Sequence, residues 1–153
     1  MFSDKWNIRF MELALVFATW SKDTSTKTGA VVIGPDKEIR ATGYNGFVRG
    51  VDDDKAERYE RPTKYDFFEH AERNAVYNAC LTGTTLKGCT MYASHPPCTD
   101  CARAIIQSGI KRVYTRESAF PKNLETSAHW NEKASYSEEM FKEAGVEYIK
   151  LPM

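Results

Sequence analysis

This sequence of 153 residues lacks the features that mark nucleic-acid-binding and membrane proteins. Lysine and arginine number 21, and aspartate and glutamate also number 21, so there is no basic excess of the kind that general nucleic-acid binders carry. The longest apolar run, Leu13 to Ala18, is far too short to cross a bilayer. We therefore expect a single domain spanning residues 1–153 that acts on a small molecule, with neither polymeric nucleic acid nor membrane as a partner.

Histidine is scarce, with three residues, and the four cysteines all fall between Cys80 and Cys101. Such clustering differs from the spread-out cysteines of a disulfide framework and suits a reducing compartment. The first ten residues also lack the pattern of a secretory signal. We therefore expect a cytoplasmic protein whose cysteines have a role other than disulfide bonding.

Two short segments contain the residues from which a metal site can be built: His-Ala-Glu at 70–72 and Pro-Cys-Thr-Asp-Cys at 97–101. Zinc prefers four tetrahedral nitrogen and sulfur ligands, and a catalytic zinc keeps one position for water. The pattern H-x-E followed by P-C-x-x-C is the signature of zinc nucleobase deaminases. We predict one catalytic Zn²⁺ held by His70, Cys98 and Cys101, with Glu72 moving protons.

The spacing places both segments at the starts of helices. Cys98 and Cys101 are three residues apart and share one face of a turn, whereas His70 and Glu72 can face one metal only where a helix begins. A helix N-terminus carries partial positive charge, which lowers thiol pKa values, so we expect both cysteines to favour the thiolate. A pKa of Glu72 raised toward neutrality would suit a group that acts as base and then as acid.

A rival grouping is a structural zinc held by Cys80, Cys89, Cys98 and Cys101. It leaves His70 and Glu72 without a role, so we favour the catalytic site. A zinc-stabilised scaffold without catalysis is disfavoured for the same reason, because a structural site has no need of the acid.

Hydrophobic periodicity predicts helices over 3–20, 70–80, 98–108 and 129–144, and strands over 30–33, 39–43, 90–94, 111–115 and 146–151. The first helix shows an apolar stripe that ends at Trp20. Residues 43–63 and 116–128 are predicted to be irregular. Strands that alternate with helices imply an α/β sandwich whose sheet is largely parallel after an opening hairpin.

Four stretches, SKDTSTKTGAVV, TGYNGF, KYDFFEHAERNAVYNA and MYASHPPCTDCARAIIQSGIKRVY, resemble the deoxycytidylate (dCMP) deaminases of the cytidine deaminase superfamily. The resemblance implies a cytidine deaminase-like three-layer α/β sandwich, a five-stranded mixed sheet flanked by helices. It implies zinc-dependent hydrolysis of dCMP to dUMP and ammonia, which supplies dUMP for thymidylate synthesis. It also implies a homo-oligomer, often a hexamer, with dCTP and dTTP as regulators.

The resemblance assigns further residues to substrate binding. Ser21 and its loop match residues that hold the phosphate, Asn45 matches an asparagine at the sugar–phosphate end, the Ala71 N–H donates to pyrimidine O2, and Phe120 replaces an aromatic, often tyrosine, that stacks on the base. We add Lys27 because it flanks a glycine-bearing turn. Other basic candidates for the phosphate are Lys22, Arg49, Lys111, Arg112 and Arg116.

The sequence departs from the family in two further places. No cysteine precedes Cys80 and no histidine precedes His70, so the second, structural zinc of some viral relatives is not expected. Residues 47–63 diverge near the family's regulator site. The alternatives are a tRNA adenosine deaminase and a polynucleotide cytidine deaminase, which share both metal motifs; each predicts a basic surface, and the zero net charge disfavours them.

Overall fold

A computed structural model of the chain describes the backbone of residues 1–119 and 124–153 and the side chains of residues 1–119 and 131–153. The strands are β1 (Gly29–Ile33), β2 (Ile39–Tyr44), β3 (Gly46–Phe47), β4 (Phe68–Glu69), β5 (Thr90–Ala93), β6 (Arg112–Arg116) and β7 (Glu147–Leu151). The helices are α1 (Asp4–Ala18), α2 (Lys64–Phe67), α3 (Ala71–Thr82), α4 (Thr99–Gln107) and α5 (Leu124–Ala144).

The central sheet has five strands in the order β2-β1-β5-β6-β7. Strand β1 runs antiparallel to both of its neighbours, whereas β5, β6 and β7 are parallel. The sheet is therefore mixed, and only its second half is parallel. As a result of this pairing, the start of β1 lies beside the ends of β2, β5 and β6. These strand termini together form one edge of the sheet, perpendicular to the strands.

Helices cover both faces of this sheet. On one face, α1 packs Phe10 and Met11 against Tyr92 of β5 and Tyr114 of β6. The other face is covered by α3, α4 and α5, whose buried residues pack against apolar strand side chains, among them Ala75, Ile105, Phe141, Val32 and Val113. These three layers confirm the predicted fold.

The segment predicted to be irregular over 43–63 contains regular structure. Strand β3 pairs antiparallel with β4, and a 3-10 turn spans Ala56–Tyr59. The ring of Phe47 lies 5.1 Å from that of Tyr59 and 4.6 Å from that of Phe68, between centroids. These contacts join residues that are distant in sequence, so local pattern could not reveal them.

Two helix boundaries also differ from prediction. Helix α1 ends at Ala18, and Trp20, predicted to belong to its buried stripe, is 58% exposed. Helix α5 begins at Leu124 rather than at residue 129, and residues 124–128 contain no glycine or proline that would prevent helix. Within the described part of the chain, no helix is long and apolar enough to span a membrane.

Glycines allow the helices to approach β1 and β2 closely. A Cβ added at Gly43 of β2 would lie 2.3 Å from the Ala71 carbonyl oxygen and 2.5 Å from the Ala75 nitrogen, both backbone atoms of α3. On the opposite face, a Cβ at Gly29 would lie 2.0 Å from the Ala14 carbonyl oxygen of α1. The contact at Gly43 sets the distance between the sheet and the start of α3.

We predict that Gly43→Ala destabilises the protein by about 1–3 kcal/mol or more, because a methyl group cannot enter this contact unless α3 moves. Urea denaturation monitored by circular dichroism measures the change. The matched control is Gly46→Ala, where an added Cβ has no heavy atom within 4 Å. A Gly43→Ala variant as stable as this control would contradict the close approach.

Candidate active site

His70 lies at the cap position immediately before α3, with extended backbone angles (φ −77°, ψ 153°). Glu72 lies in the first turn of that helix and is 4% exposed. The irregular backbone at His70 lets both side chains point to the same place, as the sequence predicts.

Cys98 occupies the equivalent cap position before α4 (φ −72°, ψ 174°), and Cys101 lies in the first turn. Strand β5 leads to this helix at the edge of the sheet where β2 also ends. The fold therefore brings the N-termini of α3 and α4 together.

The three predicted ligands are within range of one metal ion. The Nδ1 atom of His70 lies 3.4 Å from the Sγ atoms of both Cys98 and Cys101. Zn–N and Zn–S bonds at a tetrahedral angle place nitrogen and sulfur about 3.6 Å apart. The imidazole and the two sulfurs all lie within 4.8 Å of one another, and this donor set fits zinc.

The two thiols differ in pKa. Hydrogen bonds from Cys101 and His70 lower the pKa of Cys98 to about 3, although burial opposes them. The pKa of Cys101 is raised well above its ordinary value by its hydrogen bond to Cys98, by burial and by the Glu72 carboxyl, whose Oε2 lies 3.0 Å from its sulfur. The thiolate expected at both helix starts is thus favoured at Cys98, whereas burial and two anionic neighbours oppose the helix N-terminus at Cys101, whose ionisation as a metal ligand stays a prediction.

Glu72 has the raised pKa that the sequence argument anticipates. Burial raises the pKa of its carboxyl, and the nearby His70 only partly offsets this effect. A raised pKa favours a carboxyl group that acts first as a base and then as an acid. The pKa of His70 is itself raised, mainly by its hydrogen bond to Cys98.

Sequence reasoning missed Arg73, which lies against the site. Its guanidinium forms an ion pair with Glu69, lies 3.5 Å from Asp100 and is 4.0 Å from the Cys98 sulfur. A positive charge here balances the thiolate at the mouth of the site. The four-residue spacing of glutamate and arginine was a signal for the ion pair, but nothing in the sequence indicated the contact with Cys98.

The rival structural zinc is wrong on geometry. Among the residues whose side chains are described, the cluster that could hold a metal contains His70, Cys98 and Cys101, without Cys80 or Cys89. Cys80 is exposed in the last part of α3, and Cys89 is buried beside the start of β5. A second cluster, Asp52 to Asp54, lies in an irregular segment in which Asp53 pairs with Lys22 at 2.7 Å.

His95 follows β5 beside the site. Its Nδ1 atom lies 3.0 Å from the Ser94 hydroxyl, and burial, aided by the charge of Arg116, lowers its pKa to about 4. It is therefore a neutral side chain at neutral pH. It is absent from the metal-binding cluster.

The structure joins two of the predicted substrate residues directly. The Ser21 hydroxyl donates to the Asn45 carbonyl at 2.8 Å, and both residues are buried. The Asn45 amide nitrogen donates to the Thr26 carbonyl, and its oxygen accepts from the Thr28 N–H, both at 2.8 Å. Asn45 thus holds the 21–28 loop in place.

Of the other three predicted substrate residues, the structure describes Ala71 and Lys27. Ala71 is fully buried in the first turn of α3, next to His70, and Lys27 is exposed on the 21–28 loop. Phe120 lies outside the described residues. A role for any of the five in substrate binding stays a prediction.

Most of the additional basic candidates have protein partners. Arg116 donates to the Ser94 carbonyl at 3.0 Å, and Arg112 pairs with Glu147 at 3.0 Å. Arg49 donates to Asn78, and Lys22 pairs with Asp53. Each would have to exchange or share a partner to bind a phosphate.

Comparisons with known proteins agree with this geometry. The family model of the cytidine and deoxycytidylate deaminase zinc-binding region matches residues 4–117. An uncharacterized deaminase of Aliivibrio fischeri is 40% identical over 149 residues, covering 97% of this chain and 95% of the relative. Human deoxycytidylate deaminase is 34% identical over 151 residues, covering 95% of this chain and 79% of the human protein.

A solved structure shows the same fold. The dCMP deaminase of cyanophage S-TIM5, determined in complex with dCMP and dUMP, aligns over 99% of this chain and 100% of its own, with a TM-score of 0.76 and 25% identity. The match of the family model over most of the chain, and relatives above 30% identity across nearly all of it, agree with one another. This chain therefore belongs to the family defined by the cytidine and deoxycytidylate deaminase zinc-binding region.

Proposed function

We propose that this protein is a dCMP deaminase, which hydrolyses dCMP to dUMP and ammonia with one catalytic Zn²⁺ per chain. The observation that carries the proposal is the meeting of His70, Cys98 and Cys101 with the buried carboxyl of Glu72. Structural and curated relatives named as dCMP deaminases support the choice of substrate.

His70, Cys98 and Cys101 would hold the zinc through one nitrogen and two thiolates. When bound, zinc lowers the pKa of water to about 7 and thereby supplies a nucleophile at neutral pH. A reducing compartment such as the cytoplasm would keep both sulfurs available as ligands.

Glu72 would move the protons. Its Oε2 atom is 3.0 Å from the Cys101 sulfur and therefore lies beside the ligand cluster. The carboxylate takes a proton from the attacking water and passes it to ring N3, which makes C4 electrophilic. It then takes the second proton from the new hydroxyl on C4 and gives it to the departing amine, while N3 keeps the first proton. Oxygen is added to C4 and ammonia leaves, so water and dCMP give dUMP and ammonia.

The N-terminus of α3 also offers a hydrogen-bond donor to the pyrimidine base. The first N–H groups of a helix have no acceptor within it, and Ala71 is the first residue of α3. Its N–H would donate to pyrimidine O2, while the Ser21 and Asn45 region would bind the sugar and phosphate.

Regulation by dCTP and dTTP and assembly into a homo-oligomer are further parts of the proposal. An open groove of about 370 Å³ runs beside α3, lined in part by Phe47, Arg49 and Tyr77. The exposed ring of Trp20 lies 6.0 Å, between centroids, from that of Tyr44, which also lines the groove. We expect a hexamer, as in similar proteins, and dCMP saturation curves that shift with dCTP or dTTP. Sedimentation and steady-state assays test these expectations, which a monomer insensitive to both nucleotides would contradict.

We predict that Glu72→Gln lowers kcat/KM for dCMP by about 10²–10⁴-fold, because the amide cannot carry the proton. Zinc content, measured by mass spectrometry, should stay near one per chain. The control is Glu147→Gln, which changes an exposed carboxylate on β7 and should leave activity intact. Activity near that of the wild type in zinc-loaded Glu72→Gln would refute the assigned role.

Cysteine substitutions test the metal ligands separately. Cys98→Ser should lose zinc and activity together, whereas Cys80→Ser should retain both. Equal zinc content in the two variants would contradict the assigned ligand set.

A substrate comparison tests the reaction itself. Incubation with dCMP, deoxycytidine, CMP and dCTP, followed by the loss of cytosine absorbance, should give the highest kcat/KM for dCMP. Parallel incubations with tRNA and single-stranded DNA test the polymer alternatives. Deamination confined to a polymer would overturn the proposal.

A further inference from the structure

Lysine is rarely buried, yet the Lys64 side chain is only 9% exposed. Its ammonium lies 2.8 Å from Oδ1 and 2.7 Å from Oδ2 of Asp23, whose side chain is 5% exposed. It also lies 5.1 Å from the centroid of the Phe68 ring. A buried ion pair thus connects α2 with the loop that follows α1.

Asp23 links several parts of that loop. Its Oδ1 atom accepts the Ser25 N–H at 2.8 Å, and its Oδ2 atom accepts from the Asn45 amide at 3.2 Å. The Asp23 N–H donates to the Ser21 hydroxyl at 3.1 Å. Burial raises the pKa of Asp23, but Lys64 and the loop N–H groups outweigh it and leave the pKa below its ordinary value. The loop is therefore built around a carboxylate neutralised by Lys64.

Lys64, the other member of the ion pair, begins the segment that leads to the metal ligand His70. Helix α2, which begins at Lys64, continues directly into β4 and then His70. Strand β4 pairs with β3, which begins one residue after Asn45. The 21–28 loop, the Asn45 region and the segment ending at His70 therefore meet around Asp23.

Stability alone is a weak reason for this arrangement. Replacing a buried ion pair by well-packed apolar residues is often neutral or stabilising, because both charges must be desolvated. A pair that connects the 21–28 loop with the segment leading to His70 has a second use, because its directional contacts fix the distance between them. None of its atoms belongs to the metal-ligand cluster.

We propose that Lys64 is a positioning residue, which acts through Asp23 to hold the loop bearing Ser21 and Lys27 at a fixed place relative to His70. The inference rests on the proposed function, in which this loop binds the sugar and phosphate of dCMP. Loss of the ion pair leaves the metal ligands intact but allows the loop to shift. Substrate affinity then falls while the chemical step is retained.

The test compares Lys64→Met, Asp23→Asn and the double variant. Lys64→Met alone leaves a buried carboxylate unpaired and lowers the melting temperature. The double variant contains no unpaired charge and should recover much of that loss, since the amide introduced by Asp23→Asn retains an oxygen that accepts the Ser25 N–H. Asp23→Asn alone breaks the pair from the other side, leaves the buried Lys64 ammonium without a carboxylate and should also lower the melting temperature.

In the double variant, KM for dCMP should rise about tenfold while kcat stays within about threefold of wild type, because displacement of a binding group weakens substrate positioning. Zinc content should be unchanged, and Asp23→Asn should shift KM in the same direction. A purely structural ion pair would lower the melting temperature without this separation of KM from kcat. The matched control is Lys150→Met, which removes a half-exposed lysine of β7 that pairs with Glu138 at 3.0 Å and should leave KM unchanged.

The outcomes separate the two hypotheses. If wild type and Lys150→Met turn over dCMP and the double variant and Asp23→Asn have unchanged KM, the positioning role of Lys64 is refuted while the proposed function stands. If wild type with a full complement of zinc does not turn over dCMP, the proposed function fails and this inference fails with it.

Discussion

The meeting of two helix N-termini at one edge of the sheet is the constraint on which the rest of the site depends. Residues at a cap position have extended backbone angles, so His70 and Cys98 can direct their side chains past the helix ends, while Glu72 and Cys101 reach the same point from the first turns. Strand order and helix packing serve to hold these two ends within one ion's reach. The chemistry of the site follows from that proximity.

The site also concentrates negative charge in a buried place. Two sulfurs and a carboxyl lie close together, and in the absence of compensation their ionised forms would repel one another. His70 and Arg73 offset part of this charge at the rim, and one proton between Cys101 and Glu72 offsets more. A divalent cation is the group that such an environment accommodates best, which agrees with the choice of ligands.

The metal site could be predicted from the sequence because its residues are brought together by local rules, two cap positions followed by two helical turns. The three-layer fold was equally accessible, from hydrophobic periodicity and from family resemblance. Lys64 with Asp23, Arg73 with Cys98 and the rings of Phe47 and Phe68 were not, because each contact joins distant segments. Lys64 in particular reads as an ordinary charged residue until the fold buries it.

Gly29 and Gly43 lie on adjacent strands, one residue out of register with each other, and each admits a helix to a different face of the sheet. At these two positions helix backbone therefore approaches the strand so closely, on opposite faces of the sheet, that even a Cβ atom would not fit. Side chains elsewhere in the sheet act as spacers that can be exchanged for others of similar volume. Gly29 and Gly43 have no side chain to exchange. Substitutions that change the volume of the core can therefore be accommodated elsewhere in the sandwich, but not next to the start of α3.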